Sequence, residues 1–185
     1  MLWTETPAWL VAHLNLIPPF LIALWISYED LRTRKIPNYL TFGAALAGLA
    51  YNLAVSGWVG LGDGLLGLLL GFGFLILPYI MGGTGAGDVK ALAALGAWLG
   101  PTGTLYLFCY MAIAGGVMSL AVLIGKGILW QKIRQVWVYL LNLVLCHGRG
   151  KTVASPHIQI IKGIPYGVAI VLGMGMLLVT GVGVG

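Results

Sequence analysis

The sequence predicts an all-helical protein that crosses a membrane several times, and two observations lead to this fold class. Of the 185 residues, 59% are hydrophobic and only 8% are charged, so a soluble domain of this length would lack the polar residues to cover its surface. The apolar residues also form runs of about the length that a helix needs to cross a bilayer. We therefore predict a single membrane-embedded domain over residues 1–185.

Six apolar runs predict six transmembrane helices, which charged, glycine or proline residues separate. The charged segment 29–38 ends the first run, because Pro37 favours a helix start and disfavours helical geometry at Ile36. A loop at 56–58 follows the second run, and Gly100-Pro101 ends the fourth. The predicted spans are 8–28, 38–55, 61–80, 88–99, 103–124 and 164–182.

Residues 128–146 predict an additional helix on the cytoplasmic membrane surface. Their polar side chains fall on one helical arc and their apolar side chains on the opposite side, which is typical of an interfacial helix. A seventh span is the alternative, since residues 136–146 are largely apolar. That span would have to bury the polar arc in lipid, which is costly.

The distribution of lysine and arginine predicts the orientation in the membrane. With six spans, all ten basic residues fall on one side. The positive-inside rule places that side in the cytoplasm and both termini outside the inner (cytoplasmic) membrane. The net charge of +5 is thus explained by orientation and by anionic lipid, and no nucleic-acid partner is expected.

Two of the five acidic residues are candidates for catalysis. Asp30 and Asp88 both fall at the cytoplasmic mouth of the predicted bundle, although 58 positions separate them. Two close carboxylates in a low dielectric share a proton, so one can activate water while the other polarises a carbonyl. Alternatively, Asp88 caps a helix and Asp30 pairs with Arg32 or Arg34. The residue pattern alone leaves both interpretations open.

The glycine loop, residues 82–87, immediately precedes Asp88 and has four glycines in six residues. Gly85 and Gly87 would let a substrate strand approach the carboxylate closely. The loop matches neither a dinucleotide fingerprint nor a phosphate-binding loop. Neither the histidines nor the two cysteines have metal-ligand spacing, so we expect no metal and no cofactor.

Two further features have both an ordinary and a functional interpretation. Lys90 either reaches the membrane interface or adjusts the electric field around Asp88. The segment Pro165-Tyr166-Gly167 either starts a helix in the usual way or forms a wall of the site.

The chain resembles the type IV prepilin peptidases, membrane aspartic proteases of the GxGD kind. Three motifs carry the resemblance and occur in the order of that family. They are Asp30 followed by basic residues and Ile36-Pro37-Asn38, then Gly85-Ala86-Gly87-Asp88-Val89-Lys90, then Ile164-Pro165-Tyr166-Gly167.

The resemblance implies that Asp30 and Asp88 cleave a short basic leader from prepilin-like or pseudopilin substrates at the cytoplasmic membrane face. Val168 stands where the family often has proline. Long family members have an amino-terminal region with paired cysteines and also methylate the new amino terminus. The chain resembles the short, peptidase-only form, so no N-methyltransferase activity is expected. The alternatives are a GxGD protease of other membrane segments and a non-catalytic transporter or assembly subunit.

Overall fold

A computed structural model describes residues 8–127, 130–131, 133–134, 137–138 and 166–181. They contain four long helices and, within these ranges, no strand, which confirms the all-helical class. Two of the helices, α2 and α3, are long and apolar enough to cross a membrane. The helices are α1 (Ala8–Thr33), α2 (Asn38–Ile80), α3 (Ala86–Gly125) and α4 (Tyr166–Thr180).

Helices α2 and α3 each contain a reversal at a single glycine. Gly57 has φ 62° and ψ −146°, and Gly100 has φ 68° and ψ −176°, which glycine tolerates because it has no Cβ. A Cβ on Gly64 would lie 3.1 Å from Leu49 Cδ2, whereas residues 15 apart in a straight helix are separated by roughly 22 Å. Each helix is therefore a hairpin of two arms, with breaks at the loops that the sequence predicts.

The second arm of α2 packs against the first arm of α3 through glycine. A Cβ on Gly67 would collide with the carbonyl oxygen of Gly96, and a Cβ on Gly71 would lie 2.6 Å from the carbonyl oxygen of Leu92. Helices in lipid gain association energy from such close backbone contact, because the surrounding lipid removes most of the hydrophobic driving force. These glycines therefore set the spacing of the helices that lead into and out of the glycine loop.

We expect Gly67→Ala to destabilise the protein, whereas Gly73→Ala on the same arm stabilises it slightly. The new methyl group at 67 must displace backbone atoms of Gly96 and Gly100, and such overpacking costs about 1–3 kcal/mol. Nothing lies within 4 Å of a Cβ on Gly73, so alanine there gains only helix propensity. Thermal unfolding in detergent measures the stability of both variants. Equal melting temperatures would contradict the close packing of Gly67 against α3.

Polar side chains join the first arm of α2 to the end of the first arm of α3. Asn52 Nδ2 donates to the carbonyl oxygen of Ala97 at 2.8 Å, and Trp98 Nε1 donates to that of Ala44 at 2.8 Å. The Asn52 bond satisfies a carbonyl that the helix end before Gly100 leaves without an intrahelical partner. The first arm of α2 is thereby fixed against the arm of α3 that begins at Ala86 and contains Asp88.

Helix α4 packs its first turn on α1 and its middle on the second arm of α3. Ile170, Met174 and Leu177 are fully buried, and a Cβ on Gly173 would lie 3.0 Å from the backbone nitrogen of Met111. The helix falls within the predicted span 164–182, and α1 ends at Thr33 inside the predicted charged segment. The chain thus returns to the end of α1 near Asp30.

The chain divides into two compact units, 1–115 with 165–185 and 116–164, and the helix contacts above lie in the first. Within the second unit, residues 130, 131, 133, 134, 137 and 138 are helical, as expected for a helix over 128–146. The other residues of that helix after position 127 lie outside the described ranges, so its place on or across the membrane stays a prediction.

Candidate active site

Asp30 lies in the last turns of α1 and is fixed by the start of α4. Its Oδ2 accepts a hydrogen bond from the backbone nitrogen of Gly167 at 3.0 Å. That N–H belongs to the first turn of α4, where backbone donors have no intrahelical partner. The positive end of the α4 dipole therefore faces the carboxylate of Asp30.

Gly167 permits this contact because it has no side chain. A Cβ there would lie 2.9 Å from Ser27 Cα and 3.0 Å from both Cβ and Oδ2 of Asp30. Real Cβ atoms almost never approach backbone atoms this closely, so any other residue would push α4 away from α1. Ser27 and Asp30, one turn apart on α1, form the surface on which α4 begins.

Asp88 lies in the first turn of α3 and is 7% exposed. Its Oδ2 accepts a hydrogen bond from the backbone nitrogen of Gly85 at 3.0 Å. Gly85 immediately precedes the helix, so Asp88 reaches back to the N-cap residue in the manner of a capping box. Asp88 therefore does cap the start of α3, and this hydrogen bond occupies one of its two carboxylate oxygens.

The first turn of α4 connects Asp30 with the glycine loop that leads to Asp88. Both carboxylates are held in the same way, by one backbone N–H at the start of a helix. Two consecutive residues of α4 span the site, since Gly167 contacts Asp30 and the Tyr166 hydroxyl lies 3.5 Å from the carbonyl oxygen of Gly83. Gly83 belongs to the glycine loop that leads to Asp88.

A second set of contacts docks the segment after Asp30 on the segment that contains Asp88. A Cβ on Gly87 would lie 3.2 Å from Ile36, and Lys90 Nζ donates to Asn38 Oδ1 at 2.9 Å. Lys90 therefore connects two helix starts. The sequence identified Ile36 and Asn38 only as motif residues and gave no signal for their partners, because the pairing is tertiary.

We expect the Lys90–Asn38 bond to appear as a coupling between two substitutions. In a double-mutant cycle of Lys90→Met and Asn38→Ala, the loss of unfolding free energy in the double variant should be smaller than the sum of the single losses by about 1 kcal/mol. Denaturation in detergent measures the four proteins. Strictly additive losses would show that the two side chains do not stabilise one another.

The glycine loop also contains a hydroxyl group without a partner. Thr84 Oγ1 is buried, and no atom of the described residues forms a hydrogen bond with it. Buried hydroxyls are nearly always paired, so Thr84 Oγ1 has the capacity to bind one further donor or acceptor. Sequence reasoning missed Thr84. Of the predicted site residues, Pro165 lies outside the described ranges.

Comparison with known proteins agrees with the first two motifs, which contain Asp30 and Asp88. The type IV leader peptidase family matches residues 17–120, which include both Asp30 and Asp88. A protein named prepilin leader peptidase/N-methyltransferase from Aeromonas salmonicida is 33% identical over 131 residues, covering 67% of this chain and 44% of that protein. Proteins of the same name from Neisseria gonorrhoeae and Escherichia coli are 30% and 36% identical, covering 68% and 53% of this chain.

The chain spans less than half the length of these relatives, 45% of the Neisseria protein and 46% of the Escherichia protein. No solved structure matches it. The predicted family is nevertheless confirmed, because the matched residues make up more than half of the chain. The chain belongs to the type IV leader peptidase family.

Proposed function

We propose that this protein is a membrane aspartic endopeptidase that removes the short basic leader from prepilin-like proteins at the cytoplasmic membrane face. Membership of the leader peptidase family supports the substrate class. The observation that carries the proposal is that the first turn of α4 connects Asp30 with the glycine loop that leads to Asp88. The relatives are named for the same peptidase activity.

In the proposed reaction, the two carboxyl groups share one proton. The ionised group removes a proton from water while the water oxygen attacks the scissile carbonyl carbon, and the protonated group hydrogen-bonds the carbonyl oxygen. The tetrahedral intermediate then collapses as the C–N bond breaks and the leaving amine takes a proton. The backbone N–H of Gly85 binds Oδ2 of Asp88, and that of Gly167 binds Oδ2 of Asp30. Neither bond involves an Oδ1 atom, so the Oδ1 atom of each carboxyl group can take part in the reaction.

We further propose that six helical segments cross the inner membrane and that the carboxylates lie at the cytoplasmic face. The segments are α1, both arms of α2, both arms of α3, and α4. The exposed basic residues 32, 34 and 35 lie just after Asp30, and the Lys90–Asn38 bond joins this region to the start of α3. The positive-inside rule then assigns this end of the bundle to the cytoplasm.

Cysteine labelling tests the topology. Cysteines introduced at Arg149 and Lys151, with Cys109 and Cys146 replaced by serine, should react only from the cytoplasmic side. Labelling from the outside would indicate that residues 128–146 cross the membrane, which would contradict the six-span topology.

The function is tested by incubating the purified protein with a prepilin in lipid nanodiscs and determining the product mass. The proposal predicts one cut at the end of the basic leader and no added methyl group. Cleavage at another position, or of unrelated membrane segments only, would favour a different GxGD protease. Solute flux without cleavage would indicate a transporter. A methylated product would contradict the expected peptidase-only activity while leaving the peptidase intact.

A further inference from the structure

The side chain of Tyr166, the first residue of α4, has a hydroxyl group that the protein uses only weakly. The hydroxyl lies 3.5 Å from the carbonyl oxygen of Gly83, whereas O–H···O hydrogen bonds are usually about 2.7–2.8 Å long. Tyr166 is half-buried. A half-buried phenol with so long a bond retains most of its capacity to donate to another acceptor.

The backbone at Tyr166 is fixed beside Asp30, and its side chain reaches the glycine loop. The next residue, Gly167, donates its backbone N–H to Asp30 Oδ2 and leaves no space for displacement, because a Cβ there would lie 2.9 Å from Ser27 Cα. On the other side, the hydroxyl lies against Gly83 of the glycine loop, which immediately precedes Asp88. The backbone of Tyr166 therefore cannot move away from the site without breaking the contact between α1 and α4, and only rotation of the side chain moves the hydroxyl.

We propose that Tyr166 is a third catalytic residue, whose hydroxyl leaves the Gly83 carbonyl and donates a hydrogen bond to the scissile carbonyl oxygen. This inference rests on the proposed peptidase function and deepens it. The negative charge that develops on that oxygen during attack of water is what preorganised donors stabilise most strongly. In this role Tyr166 neither activates water nor transfers a proton. Both of these tasks stay with Asp30 and Asp88, which share one proton.

The chain offers a matched control for this proposal. Tyr110, on the second arm of α3, is also half-buried, and its hydroxyl makes a similarly long bond of 3.3 Å to Thr180 Oγ1 of α4. It thus tethers α4 as Tyr166 does, but at the opposite end of that helix. Thr84→Val provides a second comparison, since Thr84 lies next to Gly83 in the glycine loop and its Oγ1 has no hydrogen-bond partner among the described residues.

The test is steady-state cleavage of a prepilin by Tyr166→Phe, which keeps the ring and removes only the hydroxyl. Loss of one oxyanion donor typically lowers kcat by about 100-fold, so we expect this decrease with KM and the melting temperature nearly unchanged. Tyr110→Phe should retain wild-type kcat.

Three outcomes would overturn the role of Tyr166. They are an unchanged kcat in Tyr166→Phe, a loss that appears only in KM or in the melting temperature, and a loss of kcat in Thr84→Val but not in Tyr166→Phe. Asp88→Asn is measured in the same preparations. If Asp88→Asn still cleaves, the peptidase mechanism itself fails, whereas an inactive Asp88→Asn beside a fully active Tyr166→Phe rejects only the present inference.

Discussion

Replacing either carboxylate by its isosteric amide, Asp30→Asn or Asp88→Asn, is expected to lower the rate of leader cleavage at least about 1000-fold. An amide can neither accept the proton of the attacking water nor return one to the leaving amine, and removal of a residue that acts within a catalytic unit commonly costs this much or more. Both amides can still accept the backbone bonds that Gly167 and Gly85 donate to the Oδ2 atoms, so the fold should persist.

The matched controls for these variants are Glu29→Gln and Asp63→Asn. Glu29 precedes Asp30 on the same turn of α1, about 100° around the helix, and Asp63 lies exposed on the second arm of α2. Both substitutions remove the same charge, and both should leave cleavage within about twofold, the range expected for surface changes away from a site. Initial rates and size-exclusion profiles measure activity and fold together. A comparable loss in Glu29→Gln would indicate that net charge, rather than the pair, governs the reaction.

The second large effect is expected at Gly167, where alanine should lower activity about 100-fold. The added methyl group would lie 2.9 Å from Ser27 Cα and 3.0 Å from Asp30 Cβ and Oδ2, so α4 must move away from α1. That movement breaks the Gly167–Asp30 hydrogen bond, and a displacement of about 1 Å at a catalytic group can cost roughly 100-fold in rate.

Gly175→Ala on the same helix is the control, because its Cβ would only touch Phe20 at 3.9 Å. It adds the same methyl group and the same helix propensity at an ordinary contact distance. Cleavage rates and melting temperatures of the two variants separate displacement of the site from general effects on α4. Equal activity of the two variants would mean that the close approach of α4 to Asp30 is not needed for the reaction.

The helix breaks were predictable from the sequence because glycine and proline act locally. Gly57 and Gly100 adopt positive φ, and the start of α3 near Asp88 follows directly from the glycine loop. The charged segment 29–38 likewise predicted the end of α1, which the structure places at Thr33. Each of these features depends on a few consecutive residues, which is the range over which sequence patterns determine backbone geometry.

The contacts between motifs were not predictable in the same way. Lys90 binds Asn38 across 52 positions, and Asn52 caps a helix end 45 positions away. In a membrane protein, apolar residues cover both the lipid face and the packed face of a helix, so hydropathy does not show which side meets a neighbour. The motif order indicated that these residues belong together, but it did not pair them.

Asp88 illustrates why pattern alone left two interpretations open. A carboxylate three residues after a helix N-cap is typical of a cap, and one at membrane depth is typical of a functional site. In the structure, Asp88 accepts the capping bond from Gly85, and the proposed function also gives its carboxyl group a catalytic role beside Asp30. The cap orients the carboxyl group, so the two roles support one another.

The most direct test of the central claim, that Asp30 and Asp88 act as one unit, is the cleavage rate of the double variant Asp30→Asn/Asp88→Asn beside each single variant. Measuring the product masses after long incubation with a prepilin makes very low cleavage rates detectable, as the comparison requires. If the carboxylates share one proton, either single change already removes the mechanism, and the double variant should be no slower than the slower single variant. Losses that multiply in the double variant would instead mean that the two residues contribute independently, which contradicts the shared-proton mechanism.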